Sequence, residues 1–563
     1  MIHARPERAL YSHWQHPYTP APAYKKRVAY FSMEFAVEQC LKTYAGGLGF
    51  LAGSHMRSAY ELRQNMIGIG ILWKRGYYDQ VRYENGHMKV MYSEKYYNFL
   101  EDTGIKVGLK ITNAHVYVKA YCLRPETFGT VPIYFLSTDI PENDHLSRTI
   151  TERLYDNNEL TRVAQSMVLG IGGAKVVEAL GGADVYHMNE GHALPLAYYL
   201  YKQHHHKVEE VRKRLVFTTH TPEKAGNETH DLELMKVMNF FSGIDPEEAM
   251  YISGQAGSRV LDYTLAALHL AGKANAVSKM HGIVSNQMWG GHPNICPIIS
   301  ITNSQNKRYW ADPQLQKALE ADDDRALIAR KKEMKKELFY FVADQTGNLF
   351  SPDILTIVWA RRFVAYKRAD LIVRDLGHFE RLLRDEKYPI QMIWAGKPYP
   401  EDQSGINVFN YLVDLSRSLP NCAVLTGYEL HLSRLLKNGA DLWLNTPRRT
   451  REASGTSGMT AAMNGAINFS ISDGWIPEFA IDGINAFVIP PADLNATIPE
   501  QDIVDHDNMM QILSQQIIPL YYNHPEKWLR IMKQSMRDVT PQFDSNRMAD
   551  EYYRLMYNAI GHD

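Results

Sequence analysis

Cysteine is scarce in this sequence, and its placement excludes two classes of protein. The 563 residues contain four cysteines, which lie far apart with no paired spacing. This pattern excludes a disulfide scaffold and a cysteine-based zinc site, and it predicts reduced thiols in a cytoplasmic protein. A histidine triplet at 204–206 lies in a helical, lysine-rich run, where we expect a solvated surface rather than a metal site. We therefore predict no metal centre. The cysteines are Cys40, Cys122, Cys296 and Cys422.

An excess of charge of either sign is also missing. With 61 basic and 63 acidic residues the formal net charge is −2, which provides no basic surface for nucleic acid or for an anionic membrane. The first eight residues, MIHARPER, lack the apolar core of a signal peptide, and no apolar run reaches membrane-spanning length. We expect a cytoplasmic protein without nucleic-acid or membrane partners.

The chain is too long for one hydrophobic core, so two or more large domains are expected. Short apolar segments alternate with helical patterns, which indicates an α/β protein with parallel sheets covered by helices on both faces. The polar stretch TNSQNKR at 302–308 marks the predicted boundary. We predict a first domain at 1–302, a second at 303–540 and a C-terminal helix at 541–563 that crosses back to the first domain. The predicted strands lie at 28–32, 184–188, 214–218, 356–360, 390–395, 422–425 and 441–444.

Glycines follow the first predicted strand, in the segment YAGGLGFL at 44–51. Parallel sheets bind ligands at the carboxyl ends of their strands. Gly46, Gly47 and Gly49 would let backbone amides approach an anion at the start of a helix. A simple tight turn explains the same glycines, so a phosphate-binding loop and a turn are alternatives here.

Two basic residues follow a predicted strand of the second half. Arg362 and Lys367 are five residues apart in the segment RRFVAYKR at 361–368. Side chains at this spacing can converge on one phosphate group, the arginine as a fork and the lysine as a point charge. The alternative is a solvated, basic start of a helix.

Histidines and a glutamate lie at the ends of two strands in the first half. Glu190 and His192 belong to the segment HMNEGH, and His220 belongs to TTHTP. A single histidine in such a position is more often a hydrogen-bonded structural residue than a catalytic one. Because the two segments end successive strands, we expect them to face one ligand site, with the structural interpretation as the alternative.

The segment EASGTSGMTAAMNG at 452–465 is the most informative part of the sequence. The residues after Glu452 offer hydroxyls and backbone amides where a helix is predicted to begin, and the helix dipole favours an anion there. A plain N-cap is the alternative. The predicted phosphate- or donor-binding residues of this segment are Ser454, Gly455, Thr456, Ser457, Gly458 and Thr460.

This segment nearly matches the active-site signature of the glycogen and α-glucan phosphorylases. The chain resembles that family, especially its compact bacterial and archaeal members, from about residue 30 to beyond residue 474. Further matching motifs are YFSMEF at 30–35 and GYYDQ at 76–80. The resemblance implies the GT-B fold, in which two Rossmann-like domains with parallel sheets face each other across a cleft. It also implies retaining hexosyl transfer at the ends of an α-1,4-glucan such as glycogen or a maltooligosaccharide and, by analogy, a homodimer.

The resemblance implies roles for individual residues, and the predicted catalytic residues are Arg362, Lys367, Glu452 and His220. Arg362 and Lys367 match the phosphate-binding pair of the family, and Glu452 matches a glutamate that accepts hydrogen bonds from sugar hydroxyls. His220 matches a residue that contacts the transferred sugar. Tyr428, in the segment TGYE, matches a tyrosine near the cofactor phosphate. The implied sugar-binding residues are Glu190, His192 and Asn464.

One residue departs from the family at the point where its chemistry is concentrated. Thr460 stands where the phosphorylases have the lysine that carries pyridoxal phosphate as a Schiff base, and a hydroxyl cannot form that imine. A second departure is TNSQN at 302–306, in place of the family's Thr-Asn-Gly-Ile-Thr. The sequence therefore predicts that no covalent cofactor is present.

A second resemblance points to a different donor. Retaining GT-B enzymes that use nucleotide sugars often have a ribose-binding glutamate in the slot of Thr460, and they share a tail similar to DGWIPE at 473–478 and DGINAFVIPP at 482–491. Shared descent of one fold is the plain explanation. We predict a hexosyltransferase with a nucleotide-sugar donor, in which Thr460 bonds a ribose hydroxyl. The alternatives are a phosphorylase that holds pyridoxal phosphate non-covalently and forms glucose 1-phosphate, and a non-catalytic glucan-binding or regulatory relative.

Overall fold

The structure is a computed structural model. Contacts among the residues divide the chain into two compact units. The sequence predicted a domain boundary between residues 302 and 303, and the contacts divide the chain between residues 303 and 304. The N-terminal segment that was predicted to lack a signal core lies outside the described residues, which are 11–223, 226–419 and 421–561. The first unit comprises Met1–Tyr77, Tyr92–Asn303 and Ser545–Asp563, and the second comprises Tyr78–Met91 and Ser304–Asp544.

Strands and helices alternate through most of both units. The strands are β1 Val28–Phe31, β2 Met66–Ile71, β3 Asp79–Arg82, β4 Met88–Met91, β5 Glu101–Ile111, β6 Ala114–Leu123, β7 Ile133–Ser137, β8 Val185–Asn189, β9 Leu215–Thr218, β10 Thr229–Asp231, β11 Val260–Asp262, β12 Lys273–Ala276, β13 Ile298–Ser300, β14 Leu355–Ala360, β15 Ile390–Ala395, β16 Cys422–Leu425, β17 Leu442–Asn445, β18 Ile467–Ile471 and β19 Ala486–Ile489.

The helices vary from single turns to the 23 residues of α14. They are α1 Gly47–Glu61, α2 Pro125–Phe128, α3 His145–Arg148, α4 Glu159–Met167, α5 Gly173–Ala179, α6 Pro195–Gln203, α7 Val208–Arg212, α8 Leu232–Met238, α9 Pro246–Ile252, α10 Tyr263–Leu270, α11 Lys279–Trp289, α12 Lys307–Trp310, α13 Pro313–Glu320, α14 Asp324–Thr346, α15 Leu376–Leu383, α16 Gln403–Ser418, α17 Leu430–Gly439, α18 Ser457–Met463, α19 Ile476–Phe479, α20 Ile498–Ile512, α21 Ile518–Asn523, α22 Pro525–Phe543 and α23 Ser545–Tyr552.

The first unit is built on a nine-stranded sheet with the order β13-β12-β9-β8-β1-β2-β7-β6-β5. The strands from β13 to β7 are parallel, and β6 and β5 extend one edge as an antiparallel hairpin. The chain begins in the middle with β1 and β2, forms the β5–β6 hairpin, places β7 between that hairpin and β2, and returns to the other side of β1 with β8. Strand order therefore reverses between β1 and β8, and the carboxyl ends of these two strands are where such a sheet binds ligands.

The second unit contains a six-stranded, fully parallel sheet with the order β16-β15-β14-β17-β18-β19. In sequence numbering this is the order 3-2-1-4-5-6 of Rossmann-like domains, and it reverses between β14 and β17. Every residue of β14, β15, β16 and β17 is buried, which explains their continuous apolar sequences. The α/β prediction with parallel sheets is confirmed, whereas a cleft between two domains stays a prediction.

A short hairpin from the first half of the chain, β3 and β4, belongs to the second unit. The side chain of Gln80 fixes it there, because its Nε2 donates to the carbonyl of Gly396 (3.0 Å) and its Oε1 accepts from the amide of Gly427 (3.0 Å). Tyr78 donates its hydroxyl to the carbonyl of Pro398 (2.8 Å). The sequence analysis assigned this hairpin to the first domain, because its half-polar strands give no clue to their partner.

The end of the chain packs within the first unit. Tyr557 follows α23, and its hydroxyl lies 2.7 Å from Nδ1 of His187 in β8. The hydroxyls of Ser58 and Ser545 are 2.6 Å apart, which joins α1 to α23. His187 is therefore a buried structural residue that helps to hold the terminal segment on the first sheet.

Neither a membrane segment nor a metal centre emerges from the part of the chain that the structure describes. No helix there is both long and apolar enough to cross a membrane. No group of histidine, cysteine, aspartate or glutamate side chains among those residues could hold a metal ion. In the histidine triplet, His206 is paired with Glu248 at 2.6 Å.

Candidate functional site

The switch point of the second sheet brings two charged segments together. Arg361 follows the last residue of β14, and the loop that carries Glu452 and Ser454 follows β17. Because β14 and β17 are neighbours at the point where strand order reverses, their carboxyl ends form the crevice in which open α/β sheets bind ligands. The topology alone therefore selects this edge as the candidate donor site.

A buried ion cluster lies at this edge. Nη2 of Arg361 is 2.8 Å from Oε2 of Glu452, and Nζ of Lys367 is 3.4 Å from the same oxygen. The three side chains are 5, 11 and 13 % exposed for Arg361, Glu452 and Lys367. When Lys367 is protonated, the two cations outnumber the single carboxylate, and this positive charge suits a phosphate ligand.

The charges in the cluster control each other. Burial opposes ionisation of Glu452, but Arg361 and Lys367 outweigh it and hold the pKa of this carboxyl below its usual range. Burial, reinforced by the charge of Arg361, lowers the pKa of Lys367 to about 7. Glu452 is thus a carboxylate at neutral pH, while Lys367 is poised to take up a proton when an anion arrives.

The structure adds an arginine that the sequence analysis missed. Arg361 is buried against Glu452, whereas Arg362, the predicted phosphate ligand, is exposed. The charge of Arg362 still acts on both Lys367 and Glu452. The arginine doublet was a partial signal, since neighbouring side chains close to a strand end tend to point to opposite sides, but this pattern does not say which arginine turns inward.

Asp473 supports the loop that carries Glu452. Its carboxylate accepts from the amide of Glu452 (3.0 Å) and from that of Gly474 (2.9 Å). Burial raises the pKa of Asp473 to about 7, and the charge of Glu452 adds to this rise. Gly474 has a φ of 59°, and a Cβ there would lie 2.3 Å from the carbonyl oxygen of Ser454. Only glycine fits this position without displacing the loop.

The glycine-rich signature is more irregular than predicted. Gly455 has a φ of 85°, and α18 begins only at Ser457 and contains seven residues. Thr456 makes no side-chain capping bond, so the plain N-cap alternative does not describe it. α18 has only about two turns, and anion binding at its start stays a prediction. The Oγ of Ser454 is buried without a hydrogen-bond partner among the described residues.

Thr460 does not fit a covalently bound cofactor. It is 0 % exposed, and its hydroxyl donates to the carbonyl of Ser457 (3.0 Å). Position 460 therefore offers neither an amine nor a free hydroxyl proton, and an imine cannot form there. The ribose contact predicted for Thr460 would have to use the remaining acceptor capacity of its oxygen.

Two other predicted residues of the second unit have partners within the fold. The amide of Asn464 donates to the carbonyls of Trp310 (2.9 Å) and Thr460 (2.8 Å) and accepts from the amide of Asp312 (2.8 Å). Because these bonds engage the side-chain NH₂ group of Asn464 within the fold, we leave this residue out of the proposed sugar site. The hydroxyl of Tyr428 lies 3.2 Å from Oγ of Ser433.

The switch point of the first sheet holds a second polar cluster, at the end of β8. The carboxylate of Glu190 accepts from the amide of His220 (2.8 Å) and from the hydroxyl of Thr221 (3.2 Å). Its backbone has φ 72° and ψ 170°, a conformation that is essentially reserved for glycine and costs on the order of 1–3 kcal/mol. The structure maintains this strain because the carboxylate is held from several sides.

The two histidines of this cluster are neutral. Burial, with smaller effects from His281 and His192, lowers the pKa of His220 to about 3, and burial lowers that of His192 to about 4. Nε2 of His220 lies 2.7 Å from Oδ1 of Asn189, which accepts only, so Nε2 carries the proton. Nδ1 of His192 is buried without a partner among the described residues. An unpaired buried polar atom at a strand end is a candidate ligand contact.

The glycine-rich loop at 44–51 offers fewer backbone amides for binding an anion than the sequence predicted. Glu34 accepts from the amides of Ala45 (2.7 Å) and Gly46 (3.0 Å), so the amide of Gly46 is already engaged. A Cβ on Gly49 would lie 2.5 Å from Cβ of Tyr44, which makes that glycine a packing requirement. A Cβ on Gly46 or Gly47 would meet no described atom within 4 Å. There is therefore open space beside Gly46 and Gly47, and anion binding by this loop stays a prediction.

Comparison with known proteins places this chain in a family. The model of a family described as carbohydrate phosphorylase matches residues 284–480. The chain is 47 % identical over 536 residues to an uncharacterised protein of Methanocaldococcus jannaschii, covering 94 % of this chain and 100 % of that protein. It is 32 % identical over 621 residues to a glycogen phosphorylase of Mycobacterium bovis, covering 95 % and 71 %. A maltodextrin phosphorylase of Thermococcus litoralis is 30 % identical over 603 residues, covering 96 % and 71 %.

Proposed function

Because this chain belongs to the glycogen and α-glucan phosphorylase family of carbohydrate phosphorylases, we propose that it is a retaining hexosyltransferase that acts on the ends of an α-1,4-glucan. We further propose that its donor is a nucleotide sugar and that it works without covalent pyridoxal phosphate. The observation that carries this proposal is Thr460, whose buried hydroxyl is bonded to Ser457 beside a phosphate-suited ion cluster.

The ion cluster of the second unit supplies the electrostatic part of the proposed reaction. Arg361 and Lys367, with Arg362 at the surface, would stabilise the negative charge that grows on the departing phosphate oxygen. Lys367 has a pKa of about 7 and would gain its proton as that charge develops. Glu452 remains ionised and can accept hydrogen bonds from sugar hydroxyls.

The polar cluster of the first unit supplies the proposed sugar contacts. His220 is neutral, and its protonated Nε2 is committed to Asn189, so its Nδ1 can only accept a hydrogen bond. A sugar hydroxyl is a suitable donor for it. His192 offers its buried, unpaired Nδ1 as a second contact for a sugar hydroxyl. We therefore assign both histidines to sugar binding and neither to acid catalysis.

A second candidate function retains phosphorolysis. It is supported by the relatives, which include a glycogen phosphorylase and a maltodextrin phosphorylase. It is also supported by the buried Oγ of Ser454, which has no partner among the described residues and could bind a phosphate that is held without a covalent bond. In that case pyridoxal phosphate, when bound, would supply a phosphate group as proton relay, and Ser454, Lys367 and Arg361 would hold it. This candidate predicts weak, dialysable cofactor binding and release of glucose 1-phosphate.

Calorimetric titration separates the two candidates. Purified protein is titrated in turn with ADP-glucose, UDP-glucose, GDP-glucose and pyridoxal phosphate. The proposal expects saturable heat with at least one nucleotide sugar and a matching rise in melting temperature. Arg361→Ala should abolish that signal, whereas Arg374→Ala, at an exposed arginine, should leave it unchanged. Binding of pyridoxal phosphate alone, with phosphate-dependent release of glucose 1-phosphate, would establish the second candidate instead.

A further inference from the structure

Lys437 is a buried amine that the proposed chemistry does not use. It lies on α17, is 1 % exposed, and its Nζ is 3.7 Å from the centroid of the Trp310 ring. Burial and the charge of Arg434 lower its pKa well below the ordinary lysine value. Lysine is almost never fully buried unless it has a specific partner, and the face of an aromatic ring is one such partner.

Trp310 connects Lys437 to the helix that carries Thr460. The carbonyl of Trp310 accepts from the side-chain amide of Asn464 (2.9 Å), which also donates to the carbonyl of Thr460 (2.8 Å). Both α12, which ends at Trp310, and α17 pack against α18. Lys437 therefore lies among the elements that surround position 460.

The hydroxyls of Thr456, at the start of α18, and of Thr460 are already hydrogen-bonded within the chain. Nε2 of Gln305, one of the residues that depart from the family's hinge pattern, donates to Oγ1 of Thr456 (3.0 Å). Thr460 donates to Ser457 (3.0 Å). Both departures from the family pattern, Gln305 and Thr460, thus make hydrogen bonds around α18. The buried amine of Lys437 lies on α17, which also packs against α18.

We propose that the side chain of Lys437, packed on Trp310, occupies the room beside α18 that an aldehyde cofactor anchored at position 460 would require. Lys437 is then a determinant of the cofactor-free state, in addition to the loss of the anchoring amine. This inference rests on the proposed function, in which no covalent cofactor takes part. It predicts that replacing Thr460 by lysine alone does not restore cofactor binding.

The test restores the amine and then removes the obstruction. Three variants are compared: Thr460→Lys, Thr460→Lys with Lys437→Ala, and Thr460→Lys with Lys437→Met. Each is incubated with pyridoxal phosphate, whose aldehyde condenses with an amine to form C=N and release water. Borohydride then reduces the C=N bond, and peptide mass spectrometry locates the label.

The proposal expects at least tenfold more label at position 460 in the Ala double variant than in the single variant. The Met double variant keeps most of the side-chain length and bulk without the amine, so it should label much less than the Ala double variant and close to the single variant. Equal labelling of all three, full labelling of the single variant, or no label in a cooperatively folded Ala double variant would overturn the proposal.

An independent measurement uses the unchanged protein. After the same treatment Lys437 should carry no label, because it is packed on Trp310 and α18 offers the aldehyde no room. Label on Lys437 would overturn the proposal and identify it as an anchoring amine. Binding of nucleotide sugars is measured on the unchanged protein without pyridoxal phosphate, so failure of the proposed donor and failure of this inference are distinguishable.

Discussion

The Arg361 guanidinium and the Glu452 carboxylate lie 2.8 Å apart at the switch point of the second sheet, joining the end of β14 to the loop after β17. Removing one partner of a buried ion pair leaves a charge that the interior cannot stabilise. Glu452 would retain Lys367 as a partner at 3.4 Å. The pair thus links the stability of the second unit to its proposed donor site.

Replacement of Arg361 should affect folding and activity together. We expect Arg361→Met to lower the free energy of unfolding by about 3 kcal/mol. This value is at the lower end of the range for removing one partner of a buried ion pair, because Lys367 remains as a partner of Glu452. Transfer should slow by about two or more powers of ten. Urea unfolding of Arg361→Met, Glu452→Gln and the double variant should give a coupling energy of at least about 1 kcal/mol. Strict additivity would contradict the contact.

Asp473 should make stability depend on pH. Its pKa rises from 3.8 to about 7 on folding, so between these values the folded protein holds a proton that the unfolded chain has released. The contribution of Asp473 to the free energy of unfolding is greatest at low pH and is lost as the pH rises through about 7. Asp473→Asn removes this titration, so its melting temperature should improve relative to the unchanged protein between about pH 5 and pH 8. A constant difference across that range would refute the shift.

Lys367 should take up a proton when a phosphate-bearing donor binds. Its pKa is lowered to about 7 by burial and by Arg361, and a bound dianion would raise it again. Calorimetry at about pH 7.5 in two buffers of different ionisation enthalpy should therefore reveal net proton uptake. The Lys367→Met variant should show none. Equal uptake in both proteins would assign the proton to another group.

Two glycines provide a matched pair for the loop that supports Glu452. Gly474 and Gly483 have φ values of 59° and 70°, but only at Gly474 would a Cβ collide with backbone. Gly483→Ala should cost about 1 kcal/mol from strain alone, and Gly474→Ala should cost clearly more and abolish donor binding. Similar losses in thermal unfolding for the two variants would show that the contact with Ser454 is relaxed.

Glu190 allows backbone strain to be separated from side-chain function. Glu190→Gly and Glu190→Ala both remove the carboxylate that holds His220, but only glycine relieves the conformation at φ 72°. We expect the Gly variant to be about 1 kcal/mol or more the stabler of the two in urea unfolding, with glucan binding lost in both. If the Ala variant is as stable as the Gly variant, the strain is absent.

The sheets could be predicted from the sequence because buried parallel strands read as continuous apolar runs. The segments at 356–360, 390–395 and 422–425 correspond to β14, β15 and β16. Strand order then selects the ligand-binding edge without any further information. Local pattern and topology were therefore enough to find where the site lies.

Contacts between distant segments could not be predicted in the same way. Which member of the arginine doublet turns inward depends on the direction of the chain as it leaves β14, and the exposed Arg362 was chosen over the buried Arg361. Gln305 and Thr456 meet through side chains that any polar loop could contain. Lys437 was passed over because lysine is usually a surface residue, and only packing against Trp310 shows otherwise.

Transfer of labelled glucose tests the central claim most directly. Protein free of pyridoxal phosphate and inorganic phosphate is incubated with maltoheptaose and with each of the three radiolabelled nucleotide glucoses. The account predicts that at least one donor lengthens the glucan with a new α-1,4 linkage and that Arg361→Ala abolishes this transfer. It would be contradicted if no nucleotide sugar donates glucose while the same protein, given pyridoxal phosphate and inorganic phosphate, releases glucose 1-phosphate from the glucan.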